Sequence, residues 1–144
     1  MNRSCYTLHS TLDNLPATAQ ALLHYAGKHK VWLLEGTMGV GKTTLVRALC
    51  MQLGVQDNVA SPTFSLVHEY ALASGALIYH FDLYRIRYEE EVLDLDFAAY
   101  FASGGYCFVE WPEKAHHIIP QTYCKICLAV QPHGDRMLHM VLVE

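Results

Sequence analysis

The sequence predicts an α/β fold with the layout of a three-layer sandwich: a mixed, largely parallel central sheet between helices, with antiparallel hairpins at its edges. Apolar runs typical of strands alternate with segments whose apolar residues recur at helical spacing, which favours strand–helix–strand units. Two further pairs of apolar runs are separated by short turns, Ser74-Gly75 in one pair and 132–135 in the other, as in hairpins. At 144 residues the chain is expected to form one domain, residues 1–144.

The N-terminal segment predicts a short strand followed by a helix. The strand is expected over Cys5 to Leu8, and Ser10, Thr11 or Asp13 is expected to cap the helix. Pro16 is tolerated because it falls in the first turn, and Gly27 ends the helix. The apolar face is predicted from residues three and four apart: Leu12, Leu15, Ala19, Leu22, Leu23 and Ala26.

The next segment carries a phosphate-binding loop. Gly36-Thr37-Met38-Gly39-Val40-Gly41-Lys42-Thr43 matches the pattern G-x-x-x-x-G-K-[ST] at every fixed position. An apolar run, 31–34, precedes it as a buried strand, and a helical pattern continues from Thr44 to a stop at Gly54. Such a loop directs backbone N–H groups and a helix N-terminus at an anion. The fold class is therefore P-loop NTPase-like, and the start of the N-terminal helix is a plausible wall of an adenine pocket.

Each loop residue has a predicted role in nucleotide binding. Lys42 is expected to neutralise the outer phosphates and the Thr43 hydroxyl to ligate Mg²⁺. The residues predicted to contact the nucleotide are Thr37, Met38, Gly39, Val40, Gly41, Lys42, Thr43 and Thr44.

Later segments complete the predicted sheet. A hairpin is expected from 64–70 and 76–81, then a helix over Glu89 to Phe101 that ends at Ser103-Gly104-Gly105. The continuous apolar run 106–109 is typical of a central strand covered on both faces. The tail, 123–130 and 137–143, predicts a second hairpin.

Two acids follow predicted strands and are candidates for the second carboxylate that a phosphate-loop protein needs near its metal. Glu110 follows the more uniformly apolar run, so it is the better metal partner. Asp82 is then a candidate for orienting the attacking water or holding a water on the metal. Each has a simpler interpretation: Asp82 as a helix N-cap before Leu83-Tyr84-Arg85, Glu110 as an ordinary acid at a strand end.

Two more residues are candidates for the site. Thr63, held after Pro62, resembles a switch threonine that senses the terminal phosphate or its metal. It is equally compatible with a threonine that starts a strand. Trp111, beside Glu110, can cover the site or form a partner surface, although a tryptophan at a strand end is more often core.

The composition limits the partners. A net charge of −4 gives no general basic surface, so tight direct binding to nucleic acid is not expected. No apolar run has membrane-spanning length and the first five residues lack the apolar core of a signal peptide, so a cytosolic protein is expected. Cys124 and Cys127 lie three apart on a predicted strand and therefore on opposite faces, which favours two packed thiols over a metal site.

Four blocks together resemble the TsaE family of bacterial ATPases over about residues 10 to 115. They are Gly36 to Thr44, Ser61-Pro62-Thr63-Phe64 with Glu69-Tyr70, His80-Phe81-Asp82-Leu83-Tyr84-Arg85, and Val109-Glu110-Trp111-Pro112-Glu113-Lys114. The resemblance implies an ATP- and Mg²⁺-dependent ATPase needed to make threonylcarbamoyl-adenosine at position 37 of tRNA, acting with the proteins TsaD and TsaB. It also implies that Lys42 binds phosphate, Thr43 and Glu110 hold Mg²⁺, and Asp82 is required for turnover.

By position, the resemblance makes Thr63 the switch residue and places Trp111 near the nucleotide. Thr37 and Met38 depart from the acidic residue and leucine usual in the family, and Val40 replaces a common alanine. None of these side chains must touch phosphate, so the departures affect expectations about partner contact only.

Other functions remain open from the residues. The loop also resembles that of shikimate kinases, but after Lys114 only Lys125 and Arg136 are available for a basic lid. A GTPase switch is expected to carry an Asn-Lys-x-Asp segment, and the sequence contains no Asn-Lys pair. A nucleotide-sensing module with negligible hydrolysis on its own merges with the TsaE interpretation, because such an ATPase is expected to be slow without its partners.

Overall fold

The computed structural model describes residues 3–55, 66–88 and 96–144, and these contain a seven-stranded sheet in the order β1-β7-β6-β2-β5-β4-β3. The strands are β1 (Arg3–Ser10), β2 (Val31–Glu35), β3 (Val67–Ala71), β4 (Leu77–Asp82), β5 (Tyr106–Glu110), β6 (Tyr123–Val130) and β7 (Arg136–Val143). The helices are α1 (Leu15–Ala26), α2 (Lys42–Leu53) and α3 (Phe97–Ala102), with 3₁₀ turns at Pro112–Ile118.

The centre of the sheet is parallel and its edges are antiparallel. Strand β2 lies between β5 and β6, parallel to both, and β4 continues the parallel arrangement beside β5. Strand β3 folds back on β4, while β7 pairs antiparallel with both β6 and β1. The α/β class, the mixed sheet and both hairpins predicted from the sequence are confirmed.

Apolar side chains cover both faces of the sheet. Alternate residues of β2 point to opposite sides, so Trp32 and Leu34 pack in one cluster and Val31 and Leu33 in the other. The first cluster lies under α1 and α2, and the second includes Phe97 of α3. The parallel strands are therefore buried on both sides, and their carboxyl ends are fixed in place by the layers around them.

The start of α1 differs from the prediction. The residue before the helix is Asn14, whereas Ser10, Thr11 and Asp13 were the expected caps. The Asn14 side-chain oxygen instead accepts hydrogen bonds from the Thr11 N–H at 2.7 Å and from the Ser10 hydroxyl at 3.2 Å, which ties the turn to the end of β1. Leu12 lies in this turn and is 82% exposed, so its assignment to the apolar face was wrong.

The predicted helix over Glu89 to Phe101 is also corrected. Residues 89–95 lie outside the described residues, and Asp96 has a φ of 49°, a left-handed conformation that no α-helix can continue through. The helix that is described begins only at Phe97. Similarly, residues 56–65, which include Thr63 and the predicted strand start at Phe64, lie outside the described residues, and β3 begins at Val67.

The two thiols of β6 face different surroundings. Cys124 is buried, whereas Cys127 is half-buried and donates a weak hydrogen bond to Glu35 at 3.7 Å. Across residues 3–55, 66–88 and 96–144 no group of three or more His, Cys, Asp or Glu side chains is placed to hold a metal ion. Among the same residues, no helix combines the length and the apolar character needed to span a membrane.

Candidate functional site: a phosphate loop facing two acids

The loop between β2 and α2 is built on glycines at positions where a side chain does not fit. A Cβ on Gly36 would lie 2.7 Å from Cγ1 of Val40 and 3.0 Å from the carbonyl oxygen of Leu128. Gly41, just before α2, has a φ of 109°, which L-residues with a side chain rarely adopt. The loop can therefore wrap closely over the end of the sheet and present its N–H groups and the α2 N-terminus to an anion.

Lys42 begins α2 and is held inside the site. Its Nζ donates a hydrogen bond to the carbonyl oxygen of Gly36 at 2.7 Å and lies 3.4 Å from the centre of the Trp111 ring. Burial lowers the pKa of Lys42, which is 5% exposed. The negative charges of three nearby carboxylates act in the opposite direction: Glu110, Glu113 and Asp82. The site thus combines a buried ammonium group with three neighbouring carboxylates.

Thr43 and Glu110 are brought together although 67 positions separate them in sequence. The Thr43 hydroxyl lies 2.8 Å from Oε2 and 3.0 Å from Oε1 of Glu110, at donating distance from both. Glu110 is 3% exposed because it ends β5, the strand parallel to and beside the loop strand β2. A hydroxyl and a carboxylate are hard oxygen donors of the kind that Mg²⁺ prefers, so the donor set fits this ion.

Asp82 lies on the neighbouring strand, directly opposite Glu110 in the parallel pairing of β4 with β5. One of its carboxylate oxygens accepts a hydrogen bond from the Tyr84 N–H at 3.1 Å. A turn follows instead of a helix, so the interpretation of Asp82 as a helix N-cap was wrong. Asp82 is half-buried at the same end of the parallel strands as Glu110. The Tyr84 N–H contacts only one of its two carboxylate oxygens.

A cleft of about 350 Å³ lies between the loop and these strand ends. It is lined by Met38, Gly39, Gly41, Lys42, Thr43, Thr44, Asp82, Tyr84, Glu110 and Trp111. Two of the other predicted contacts do not line this cleft: Thr37 is exposed, and the Val40 side chain is buried in the core. Thr63 lies outside the described residues.

A second cavity, of about 550 Å³, opens on the other side of the loop. Its walls include residues 10–13 before α1, residues 39–41 of the loop, and residues 133–136, which form the turn after β6 and the first position of β7. Arg136 connects two of these walls: its Nε donates to the Val40 carbonyl oxygen at 2.6 Å, and its Nη1 donates to the Gly134 carbonyl oxygen. The C-terminal hairpin is thereby attached to the phosphate loop.

Two residues that contact the site were not assigned to it from the sequence. His80 is fully buried and its Nε2 lies 2.6 Å from Oε2 of Glu110. Its sequence signals were its place at the start of one of the four blocks quoted above and its polar character in the middle of an otherwise apolar strand. Arg136 carried no such signal, because the residue that it contacts, Val40, lies 96 positions away.

Known proteins resemble this chain in sequence along most of its length. The family model described as "Threonylcarbamoyl adenosine biosynthesis protein TsaE" matches residues 9–138. The chain is 38% identical to the Bacillus subtilis tRNA threonylcarbamoyladenosine biosynthesis protein TsaE, over 85% of this chain and 75% of that protein. It is 47% identical to the Haemophilus influenzae protein of the same name, over 61% of this chain and 55% of that protein.

The fold has a solved counterpart. The crystal structure of Bacillus subtilis YdiB superposes with a TM-score of 0.80 over all of this chain and 89% of that chain, at 25% sequence identity. The similarity therefore extends through β6 and β7, beyond the segment in which the sequence motifs are found.

Proposed function

The chain belongs to the TsaE family, and on this basis we propose that it binds ATP with Mg²⁺ and hydrolyses it in support of tRNA threonylcarbamoyl-adenosine synthesis. The proposed partners are TsaD and TsaB, the proteins with which the family resemblance associates such an ATPase. The modified base is adenosine 37. The whole chain, residues 1–144, is proposed to act as one ATPase domain.

The observation that carries this proposal is the contact between Thr43 and Glu110 directly below the phosphate loop. A hydroxyl from the loop and a buried carboxylate from the next strand are the two protein groups by which P-loop NTPases hold the metal of their nucleotide. Thr43 and Glu110 would hold Mg²⁺ here, and when bound it neutralises the charge that develops on the phosphates. A glycine-containing turn without a nucleotide role does not require a carboxylate to be buried against it.

The remaining residues have roles that follow from their positions. Lys42 supplies a positive charge at the α2 N-terminus, where the loop N–H groups converge on the outer phosphates. Asp82 ends β4 beside Glu110 and is proposed to orient the attacking water. Trp111 covers the Lys42 ammonium and limits the access of water to it.

The second cavity is proposed to take the base and ribose. It adjoins the loop through residues 39–41, so a nucleotide with its phosphates in the loop has space of about 550 Å³ for the nucleoside on that side. The start of α1 forms one wall of this cavity, and the turn between β6 and β7 forms another. This arrangement gives the C-terminal hairpin a role in the site.

The test measures the consumption of ATP by the purified chain alone, with TsaD and TsaB, and with shikimate. We expect slow Mg²⁺-dependent hydrolysis that depends on the two proteins and supports formation of threonylcarbamoyl-adenosine on tRNA. Phosphorylated shikimate would contradict the proposal and favour a small-molecule kinase. Binding of ATP that neither Mg²⁺ nor the partners affect would also contradict it.

A further inference from the structure

The buried histidine of β4 lies against the candidate metal-binding carboxylate. His80 has no solvent exposure, and its Nε2 is 2.6 Å from Oε2 of Glu110. The register of the sheet accounts for this contact: His80 lies opposite Phe108, and Glu110 is two residues further along β5, so both side chains lie on the same face. Glu110 therefore has two buried polar neighbours, His80 and Thr43.

The direction of the hydrogen bond follows from the chemistry of its partners. A carboxylate that binds a cation is ionised and can only accept, so in this role the imidazole carries its hydrogen on Nε2 and donates it to Glu110. Within the described part of the chain, Nδ1 of His80 is buried without a hydrogen-bond partner. Nε2 is therefore the ring nitrogen through which this buried imidazole makes a polar contact, and its partner is Glu110.

The two oxygens of Glu110 are not equivalent in this arrangement. Oε2 is 2.6 Å from His80 and 2.8 Å from Thr43, whereas Oε1 has only the longer Thr43 contact at 3.0 Å. A hydroxyl has one hydrogen and directs it to one acceptor at a time. When the Thr43 hydroxyl directs its hydrogen to the nearer oxygen, Oε2 accepts from two donors and the lone pairs of Oε1 stay unused.

The geometry points to His80 as a positioning residue that fixes Glu110 through Oε2 and leaves Oε1 for a divalent cation. This inference rests on the proposed function, because it concerns how the chain holds the metal of its nucleotide. His80 acts through Glu110 and does not itself touch nucleotide or metal. Residues that orient a metal-ligating group in this way typically change metal affinity by about 10- to 100-fold when mutated.

A positioning role and a packing role make different demands on position 80. Packing requires a side chain of suitable volume, whereas positioning requires an N–H at the distance of the imidazole Nε2. Gln has a side-chain nitrogen at about this distance, while Met has similar length and no donor. The pair His80→Gln and His80→Met therefore separates the two roles. The control for the loss of a histidine from this sheet is His68→Met. His68 lies on the adjacent strand β3, and its Nδ1 is hydrogen-bonded to the Tyr70 hydroxyl.

The experiment measures ADP affinity by calorimetry for the wild type and the three variants, in EDTA and over a series of Mg²⁺ concentrations, with melting temperatures recorded alongside. For His80→Met we expect the Mg²⁺ concentration at half-maximal effect to rise by roughly 10-fold or more, with affinity in EDTA changed by less than about threefold. His80→Gln should recover most of the Mg²⁺ effect. His68→Met should match the wild type.

Each outcome decides a distinct question. A His80→Met variant with the wild-type Mg²⁺ dependence would overturn the positioning role while leaving the proposed function intact. The positioning role is also overturned if His80→Gln and His80→Met lose the Mg²⁺ effect on ADP affinity to the same extent, and this loss follows the decrease in their melting temperatures. A wild type whose ADP affinity does not depend on Mg²⁺ would instead overturn the proposed function, and this inference with it.

Discussion

The Lys42 ammonium lies 3.4 Å from the centre of the Trp111 ring while it donates to the Gly36 carbonyl oxygen. Lys42 comes from the first turn of α2, and Trp111 follows the end of β5. Trp111 has a φ of 59°, a left-handed conformation that costs a bulky residue about 1–2 kcal/mol. Backbone strain of this kind concentrates at functional sites, and here it directs the indole over the candidate phosphate-binding lysine.

Removal of the Lys42 charge should strongly weaken nucleotide binding. The Lys42→Ala variant loses a charge-assisted contact of roughly 1.5–3 kcal/mol to the phosphates, about a 10- to 150-fold loss of affinity, in a loop with no other cationic side chain. Calorimetric titration with ATP checks this. Lys30→Ala is the matched control. Lys30 lies just before the start of β2, whereas the loop follows the end of that strand, and its Nζ lies 4.0 Å from the centre of the Tyr106 ring. Equal ATP affinity in the two variants would remove Lys42 from the site.

Asp82→Asn should separate binding from turnover. The amide oxygen of Asn can still accept the Tyr84 N–H, so the turn after β4 is preserved. A residue that orients the attacking water typically contributes about 10²- to 10⁴-fold to the rate, and we expect a loss of this size in kcat with ATP affinity nearly unchanged. Single-turnover hydrolysis with the partner proteins present is the measurement. Glu69→Gln, an exposed acid of β3, should retain full turnover, and an active Asp82→Asn variant would exclude the proposed role.

The C-terminal hairpin should contribute to nucleotide affinity through Arg136. In Arg136→Met the Val40 carbonyl loses its donor, so the loop is no longer attached to β7. We expect ATP affinity to fall by about fivefold to tenfold, the equivalent of one hydrogen bond of roughly 1 kcal/mol. Lys125→Met provides the comparison, since it removes a half-exposed cation of the same hairpin that pairs with Glu35 at 3.5 Å. If both variants bind ATP equally, the attachment does not support the loop.

Gly36 should tolerate alanine much less well than a glycine in an open turn. In Gly36→Ala the new methyl meets Val40 at 2.7 Å and Leu128 at 3.0 Å, and such overpacking typically costs about 1–3 kcal/mol. Gly75 has a positive φ of 90°, but nothing lies within 4 Å of the carbon that Gly75→Ala adds. Urea unfolding should therefore give a larger loss of stability for Gly36→Ala, accompanied by weaker ATP binding. Equal losses would show that the close contacts of Gly36 do not decide the cost.

The thiols should differ sharply in reactivity. Burial raises the pKa of Cys50, Cys107 and Cys124 to about 12, so at pH 8 these groups are almost entirely in the unreactive thiol form. Burial, with the charge of Glu35, also raises the pKa of Cys127. A colorimetric thiol reagent at pH 8 should modify the exposed Cys5 first and leave the three buried thiols intact until denaturant is added. Fast reaction of all five thiols in the folded protein would contradict this burial.

Much of the fold could be predicted because its signals are local. The alternation of apolar runs and turns indicated the hairpins, and the continuous apolar run at 106–109 indicated a central strand. The errors also have local causes. Leu12 fitted a helical spacing, but the helix begins three residues later because Pro16 must occupy its first turn. The helix predicted over Glu89 to Phe101 cannot continue through Asp96, because this residue has a left-handed backbone conformation that the composition of the segment did not indicate.

The candidate phosphate loop can be predicted without coordinates, because eight contiguous residues contain both the glycines that permit its shape and the lysine and threonine expected to face an anion. The acids at the strand ends, Asp82 and Glu110, are equally visible in the amino-acid order. The three-dimensional arrangement was needed to show that Glu110 meets Thr43, that His80 contacts Glu110, and that Arg136 attaches the last hairpin to the loop. These contacts join residues 67, 30 and 96 positions apart, and they depend on strand order and register, which no local pattern encodes.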